Sequence, residues 1–296
     1  MLIVFNPAAG RRRAHLLWRV LDVMAANGLR LELAETIRPG HATQLAREAA
    51  TSGREMVVAA GGDGTIAEVA SGLAGSQSRL GVIPLGTANV LAHELGLPFA
   101  PRAVAAALAF GRTRLVWPGR VQRPVGAESL FVQMLGAGFD AQVVHALPAW
   151  LKRGLGAGAY AAQGLREIIR YRFAPIRIAV DGMEIEAASI IVSKGRLYGG
   201  RYQLAPHAQP GLPGFTVAVF DRYGPWSALM YGAALPLNLL PHMPGLRLLK
   251  AHEVTVSSAH IPAQTDGDPA GEAPFTVTDS LEPIAVVVDA SGPTGA

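Results

Sequence analysis

Apolar and polar positions follow two different rhythms along the 296 residues, and the change falls near residue 118. Before it, unbroken apolar tracts alternate with stretches whose apolar residues recur every three to four positions. "LIVF" (2–5) predicts a strand buried on both faces, whereas Leu16, Leu17, Val20, Leu21 and Met24 share one face of a helix predicted from Ala14 to Asn27 and stopped by Gly28. "LRLELAET", "MVVAA", "LGVIP" and "TRLVW" predict further strands. Between them, helices are predicted over His41 to Ser52, Thr65 to Leu73, Asn89 to Leu95 and Ala103 to Phe110. Strands alternating with helices imply crossover connections, hence a mostly parallel sheet covered on both faces.

After "WPGR" (117–120) the tracts shorten and alternate residue by residue. "SLFVQML", "IRIAV", "MEIEAASIIVS", "GFTVAVF", "HEVTVSS" and "PIAVVVD" are separated by Gly, Pro and Asp, a pattern of antiparallel strands. Only Leu155 to Tyr171 and the apolar segment around 226–240 read as helical. The expected division is an α/β unit over 1–118, a mainly antiparallel β unit over 119–290 and a disordered tail over 291–296.

Composition adds exclusions. There is no cysteine, so neither disulfides nor thiolate metal sites hold this fold, which fits a reducing cytoplasm. The formal charge of +4 comes with no pattern of interleaved aromatic and basic residues, so a nucleic-acid partner is not expected. The eight histidines lack metal-ligand spacing. No basic stretch precedes the first apolar residues, so a signal peptide is not expected either. From Tyr223 to Leu246 no residue carries a formal charge, but Pro225, Pro236, Pro241 and Pro244 interrupt the run, and a buried or interfacial segment is expected there rather than a membrane span.

Three glycine-rich loops each follow an apolar strand and precede a helix: "NPAAG" (6–10), "GGDGT" (61–65) and "PLGTAN" (84–89). In open α/β sheets ligands collect at the carboxyl ends of strands, and glycines let backbone N–H groups approach phosphate oxygens. The spacing is neither the dinucleotide fingerprint nor the P-loop, because no lysine follows these glycines. Asp63 is a carboxylate within a phosphate loop. Such a charge is tolerable where Mg²⁺, directly or through water, lies between it and the phosphates.

These three loops, in this order and spacing, resemble the catalytic domain of the diacylglycerol kinase family, which includes sphingosine and ceramide kinases and bacterial lipid kinases. "ETIRPGHATQLA" (35–46), "GAGFDAQVV" (136–144) and "GRLYGGRYQLAPHA" (195–208) extend the resemblance over nearly the whole chain. It implies an α/β nucleotide domain similar to NAD kinase and phosphofructokinase, a β-sandwich domain after it, and ATP and Mg²⁺ as cofactors. It also implies transfer of the ATP γ-phosphoryl group to a lipid hydroxyl. By position, the ATP-contacting loop falls on Asn6, Pro7 and Gly10, a polar contact on Thr36, and the phosphate loop on Gly61, Gly62, Asp63, Gly64, Thr65 and Glu68. The third loop contributes Gly86, Thr87 and Asn89.

The family's general base is the aspartate of a late Asp-Gly-Glu motif. It matches Asp266 in "QTDGDPAGE", with Asp268 where glutamate is usual. Asp-Gly also favours a plain hairpin turn, and "IRIAVDGMEIEA" supplies one at Asp181 and Gly182. Asp266 is distinguished from it by its flanks, which do not alternate and include Pro269.

Two positions depart from the family. Val90 stands where many relatives have aspartate, removing one carboxylate near the metal. Pro210 and Pro213 stand where bacterial relatives carry acids around a structural Mg²⁺, so that site is expected to be absent or replaced by proline rigidity. A nucleotide- or lipid-binding protein of the same fold with little kinase activity is therefore the alternative, and an NAD kinase the third. A lipid substrate implies transient contact with a membrane surface by a cytoplasmic, peripheral protein. Trp226 to Leu240 is the candidate interface, with packing in the second domain as the other reading, and a homodimer is compatible with all of this.

Overall fold

The computed structural model describes residues 1–8, 13–126, 128–147 and 157–290. The chain divides into two compact units, one of residues 1–116 with 281–296 and one of residues 117–280.

The first unit holds the strands Leu2–Phe5 (β1), Glu32–Glu35 (β2), Met56–Gly61 (β3), Arg79–Pro84 (β4) and Arg112–Val116 (β5). Its helices are Ala14–Ala26 (α1), His41–Thr51 (α2), Asp63–Leu73 (α3), Val90–Glu94 (α4) and Pro101–Phe110 (α5). Every residue of β1 and β3 is buried, as their unbroken apolar runs require. The predicted alternation of strand and helix is present, with boundaries shifted by up to three residues.

The sheet has the order β2, β1, β3, β4, then the C-terminal strand Ile284–Val288, then β5. That sixth strand corrects the expected boundary. "PIAVVVD" reads as part of the antiparallel unit, yet the chain returns to place it between β4 and β5, antiparallel to β5 and parallel to β4. Its burial explains the choice, since Val286 and Val287 are buried on alternate faces of a sheet that has helices to cover them. The tail over 291–296 lies outside the described residues.

The second unit begins with Gly119–Gln122 (β6), Ser129–Phe131 (β7), Met134–Gly138 (β8), Ile176–Val180 (β9), Met183–Ala187 (β10) and Ser189–Ser193 (β11). It continues through Leu197–Tyr198 (β12), Tyr202–Gln203 (β13), Phe215–Phe220 (β14), Leu246–Ala251 (β15), Glu253–Val256 (β16), Pro262–Thr265 (β17), Asp268–Glu272 (β18) and Phe275–Asp279 (β19). Two antiparallel six-stranded sheets form, ordered β10-β9-β16-β19-β6-β7 and β15-β14-β11-β8-β17-β18. Side chains from both, among them Ile178, Val254 and Phe275 from one and Leu135, Val192 and Val217 from the other, make a common core. This is the β-sandwich that the resemblance implied.

Three helices join it. Phe139–Ala146 (α6) begins within the segment "GAGFDAQVV" and shows no apolar periodicity long enough to predict it. Ala157–Arg170 (α7) matches expectation, although residues 155 and 156 lie outside the described residues. Pro225–Ala234 (α8) ends after ten residues and gives way to two 3₁₀ turns at Leu235–Leu237 and Leu240–His242, each with a proline at its start. Among the described residues no helix is long and apolar enough to cross a membrane.

Candidate functional site

Strands β1, β3 and β4 lie side by side and parallel, so the loops that follow them leave the same edge of the sheet. They are joined there by hydrogen bonds. The Asn6 amide Nδ2 donates to Thr65 Oγ1 at 3.0 Å, and the backbone N–H groups of Leu85 and Gly86 donate to the Gly61 carbonyl at 2.9 and 3.2 Å. The second and third loops also touch backbone to backbone. A Cβ on Gly86 would lie 2.5 Å from Gly62 Cα and 2.8 Å from Asn89 Oδ1, so only glycine fits.

Arg13, exposed at the start of α1, donates from Nη1 to the Gly86 carbonyl at 3.0 Å and adds a positive charge to this edge. In the sequence it is the last of three consecutive arginines, a run with no signal of its own for this contact. Pro7, on its loop, and Gly64, in the first turn of α3, are partly exposed, and Thr87 is exposed. Thr36 continues the edge by donating its backbone N–H to Phe5 O at 2.8 Å. Gly10 lies outside the described residues.

Asp63 and Glu68 are both turned toward helix starts. Asp63 is the first residue of α3, and its carboxylate accepts from the backbone at the start of α4, with Leu91 N at 3.4 Å from Oδ1. Burial pushes the Asp63 carboxyl up to about 6, partly opposed by hydrogen bonds from Val90, Leu91 and Asn89. Val90 thus meets Asp63 through its backbone, while its side chain is buried. Glu68 reaches the start of α2, where its two oxygens accept from Gly40 N at 3.0 Å and Ala42 N at 3.1 Å. Thr65 is buried against Gly61.

In the second unit Asp266 and Gly267 form the turn of a two-residue hairpin, with Thr265 paired to Asp268. Their φ angles of 49° and 83° match those of Asp181 and Gly182, 46° and 81°. The expected contrast in flanking sequence is therefore corrected. β18 is the edge of its sheet, where Pro269 is tolerated because no ladder partner needs its missing N–H.

What sets Asp266 apart is its surroundings. It is buried, and its carboxylate accepts from Val132 N (2.8 Å), Gln133 N (2.8 Å) and Met134 N (3.0 Å).

A second carboxylate, on a half-buried residue, is linked to this turn through Gln264. Asp140, in the first turn of α6, accepts from Tyr198 Oη at Oδ1 and from Gln264 Nε2 at Oδ2, the latter at 2.9 Å. The other end of the same amide, Gln264 Oε1, accepts from Gly267 N at 2.8 Å. Burial raises the Asp140 carboxyl above its ordinary range, with Tyr198 and Gln264 pulling it down.

The proline loop holds a cation of the protein's own. Lys194 is buried, and its ammonium donates to Leu212 O (3.3 Å), Gly214 O (2.8 Å) and Asp279 Oδ1 (2.6 Å), and lies 4.7 Å from the Phe215 ring centre. Burial lowers its pKa and Asp279 raises it. Asp140, Tyr198, Gln264 and Lys194 all lie in or beside segments that carry the family resemblance, and that position was the available signal for them. Among the described residues no cluster of three or more metal-ligating side chains occurs.

The diacylglycerol kinase catalytic domain profile matches residues 1–121, and that of the YegS C-terminal NAD kinase beta sandwich-like domain matches residues 133–289. The chain is 34% identical over 211 residues to the diacylglycerol kinase of Bacillus subtilis, covering 69% of this chain and 68% of that one. It is 36% identical over 189 residues to a protein of Chromohalobacter salexigens named "Probable lipid kinase YegS-like", covering 62% of this chain and 59% of that one. A crystal structure of a diacylglycerol kinase from Bacillus anthracis shares the fold at a TM-score of 0.71 and 21% identity, over 97% of this chain and 96% of that chain. With both family domains matched in order, the chain belongs to the diacylglycerol kinase and YegS-like lipid kinase family.

Proposed function

We propose that this protein transfers the γ-phosphoryl group of ATP to the hydroxyl of a lipid alcohol such as a diacylglycerol or a sphingoid base. The observation that carries the reading is the junction of three glycine-rich loops at one edge of a parallel sheet, with Gly62 against Gly86 and Arg13 beside them. Backbone N–H groups and an arginine at such an edge suit the phosphates of a nucleotide.

In this reading the lipid oxygen attacks the γ-phosphorus, the bond to the bridging oxygen breaks, and ADP leaves. Asp266 takes the hydroxyl proton as general base. Asp63 fits a metal as a single carboxylate beside phosphate loops, through which an Mg²⁺ carried by ATP would be held directly or through water. Such a cation needs only one or two protein carboxylates when phosphates supply the rest, and it would neutralise charge on the transferred group.

The acceptor is reached at a membrane surface. Trp226, Leu229 and Met230 recur at helical spacing on α8 and are 72%, 38% and 39% exposed, and Leu237, which ends the first 3₁₀ turn, and Leu239, just before the second, are also exposed. Apolar side chains led by a tryptophan suit a headgroup boundary. Loss of vesicle binding in a folded Trp226→Ala, Leu229→Ser variant supports this placement, and unchanged binding removes it.

The reading is tested by incubating the protein with labelled ATP, Mg²⁺ and a total lipid extract. Label in a lipid, identified by mass spectrometry, is the expected result. Bound ATP that is never consumed would point instead to a binding protein, a reading that Val90 favours, and NADP formation would point to an NAD kinase.

A further inference from the structure

The carboxylate of Asp140 has no place in the reaction described above, yet it is built into the fold with care. It sits in the first turn of α6, a helix pinned to β17 by the contact of His145 Nε2 with Ala263 O at 2.7 Å. Gly136 on β8 leaves it room, since a Cβ there would lie 2.1 Å from Asp140 Oδ2 and 2.8 Å from Gln264 Nε2. Tyr198 comes from a third segment of chain and bonds the other oxygen.

The amide of Gln264 is polarised by this arrangement. A carboxylate only accepts, so Nε2 must face Asp140 and Oε1 must face the Gly267 N–H. The turn so held is the one that carries Asp266.

We propose that Asp140 is a positioning residue for phosphoryl transfer: through Gln264 it fixes the Asp266–Gly267 turn and so aims the Asp266 carboxylate. The inference rests on Asp266 acting as the base. Misplacing a catalytic group by about 1 Å costs roughly 10²-fold in rate, which sets the scale expected here.

The test is a mutant cycle on the full chain, assayed with ATP and whichever lipid the extract experiment identifies. Asp140→Ala lowers kcat about 10²-fold and leaves the KM for ATP unchanged. Asp140→Asn restores most of kcat, because its amide oxygen still accepts from Gln264 and its Nδ2 can donate to Tyr198. In an Asp266→Asn background, Asp140→Ala costs nothing further. An equal loss in both backgrounds, or an Asn variant as poor as Ala, overturns the proposal.

Should Asp140→Ala not fold, Tyr198→Phe removes one bond to the same carboxylate. A smaller kcat loss that disappears in the Asp266→Asn background supports the proposal, and a loss that persists there overturns it.

Hydrogen exchange of the Gly267 amide separates this inference from the one beneath it. If Asp140→Ala speeds that exchange while Asp266→Asn keeps full turnover, the base assignment has failed and the structural link stands. If the exchange rate is unchanged, the link itself is wrong.

Discussion

The second unit contains two Asp-Gly hairpins with nearly the same backbone, and they differ in what the aspartate reaches. At Asp181 the turn joins β9 to β10, the residue is exposed, and its carboxylate accepts from His252 N and Glu253 N at 2.9 and 2.8 Å. At Asp266 the turn joins β17 to β18, the residue is buried, and three backbone N–H groups converge on it. A side chain that ties two turns together is common to both. Burial, and the Gln264 bond to Asp140, belong to the second alone. Turn chemistry therefore explains why Asp-Gly occurs twice, and surroundings decide which of the two can carry chemistry.

The sharpest way to break the comparison is turnover. Asp266→Asn is expected to lower kcat by about 10²- to 10⁴-fold, as loss of a general base does, whereas Asp181→Asn stays within a few-fold of the unmodified protein. Equal effects would reduce Asp266 to a turn residue.

Stability gives the next largest difference. Asp266→Ala leaves three buried N–H groups without their acceptor and is expected to cost about 3 kcal/mol or more in denaturant unfolding, at roughly 1–3 kcal/mol per group before relaxation. Asp181→Ala, whose partners can turn to water, is expected to cost about 1 kcal/mol or less.

A similar contrast applies to cations. Lys194→Met strips the buried partner from Asp279 and is expected to cost about 3 kcal/mol. Because that ammonium, bonded to two carbonyls and a carboxylate, fills the proline loop, chelators are expected to leave the melting temperature unchanged. A clear fall in melting temperature with EDTA would show that the loop depends on a metal after all.

A last effect is one of pH, and it concerns Asp63. Its folded pKa of about 6 lies above the unfolded value near 3.8, so the folded state binds the proton more tightly. This group therefore favours folding most at low pH, and its contribution is lost as pH rises from about 4 through about 6. Asp63→Asn should flatten that part of the stability profile, and an unchanged slope would assign it to other groups.

Much of this molecule was legible from residues alone, for identifiable reasons. The strands and helices of the first unit are long and periodic, and their loops sit where the strands end, so the glycine-rich edge could be located in advance. The C-terminal strand could not be assigned, because an apolar run of five residues reads the same in a parallel or an antiparallel sheet. Helix α6 escaped because it is eight residues long and opens on Phe-Asp-Ala after a glycine run.

The hairpin at Asp266 was hidden by Pro269 and Gly271, which weaken the strand signal but are allowed at a sheet edge. Glu68 and Asp63 were legible as polar residues near the loops. That both would accept from helix N-termini depends on how α3 lies against α2 and α4, which spacing does not encode. The Asp140, Gln264 and Tyr198 set joins positions over 120 residues apart, and only the fold could bring them together.

The central claim is that the protein phosphorylates a lipid by way of Asp266. It is tested most directly by following label from ATP into a total lipid extract with three proteins in parallel: the unmodified chain, Asp181→Asn and Asp266→Asn. The account predicts one labelled lipid class of equal intensity with the first two proteins and at least about 10²-fold less with the third. Label that enters lipid equally with all three, or with none, would contradict it.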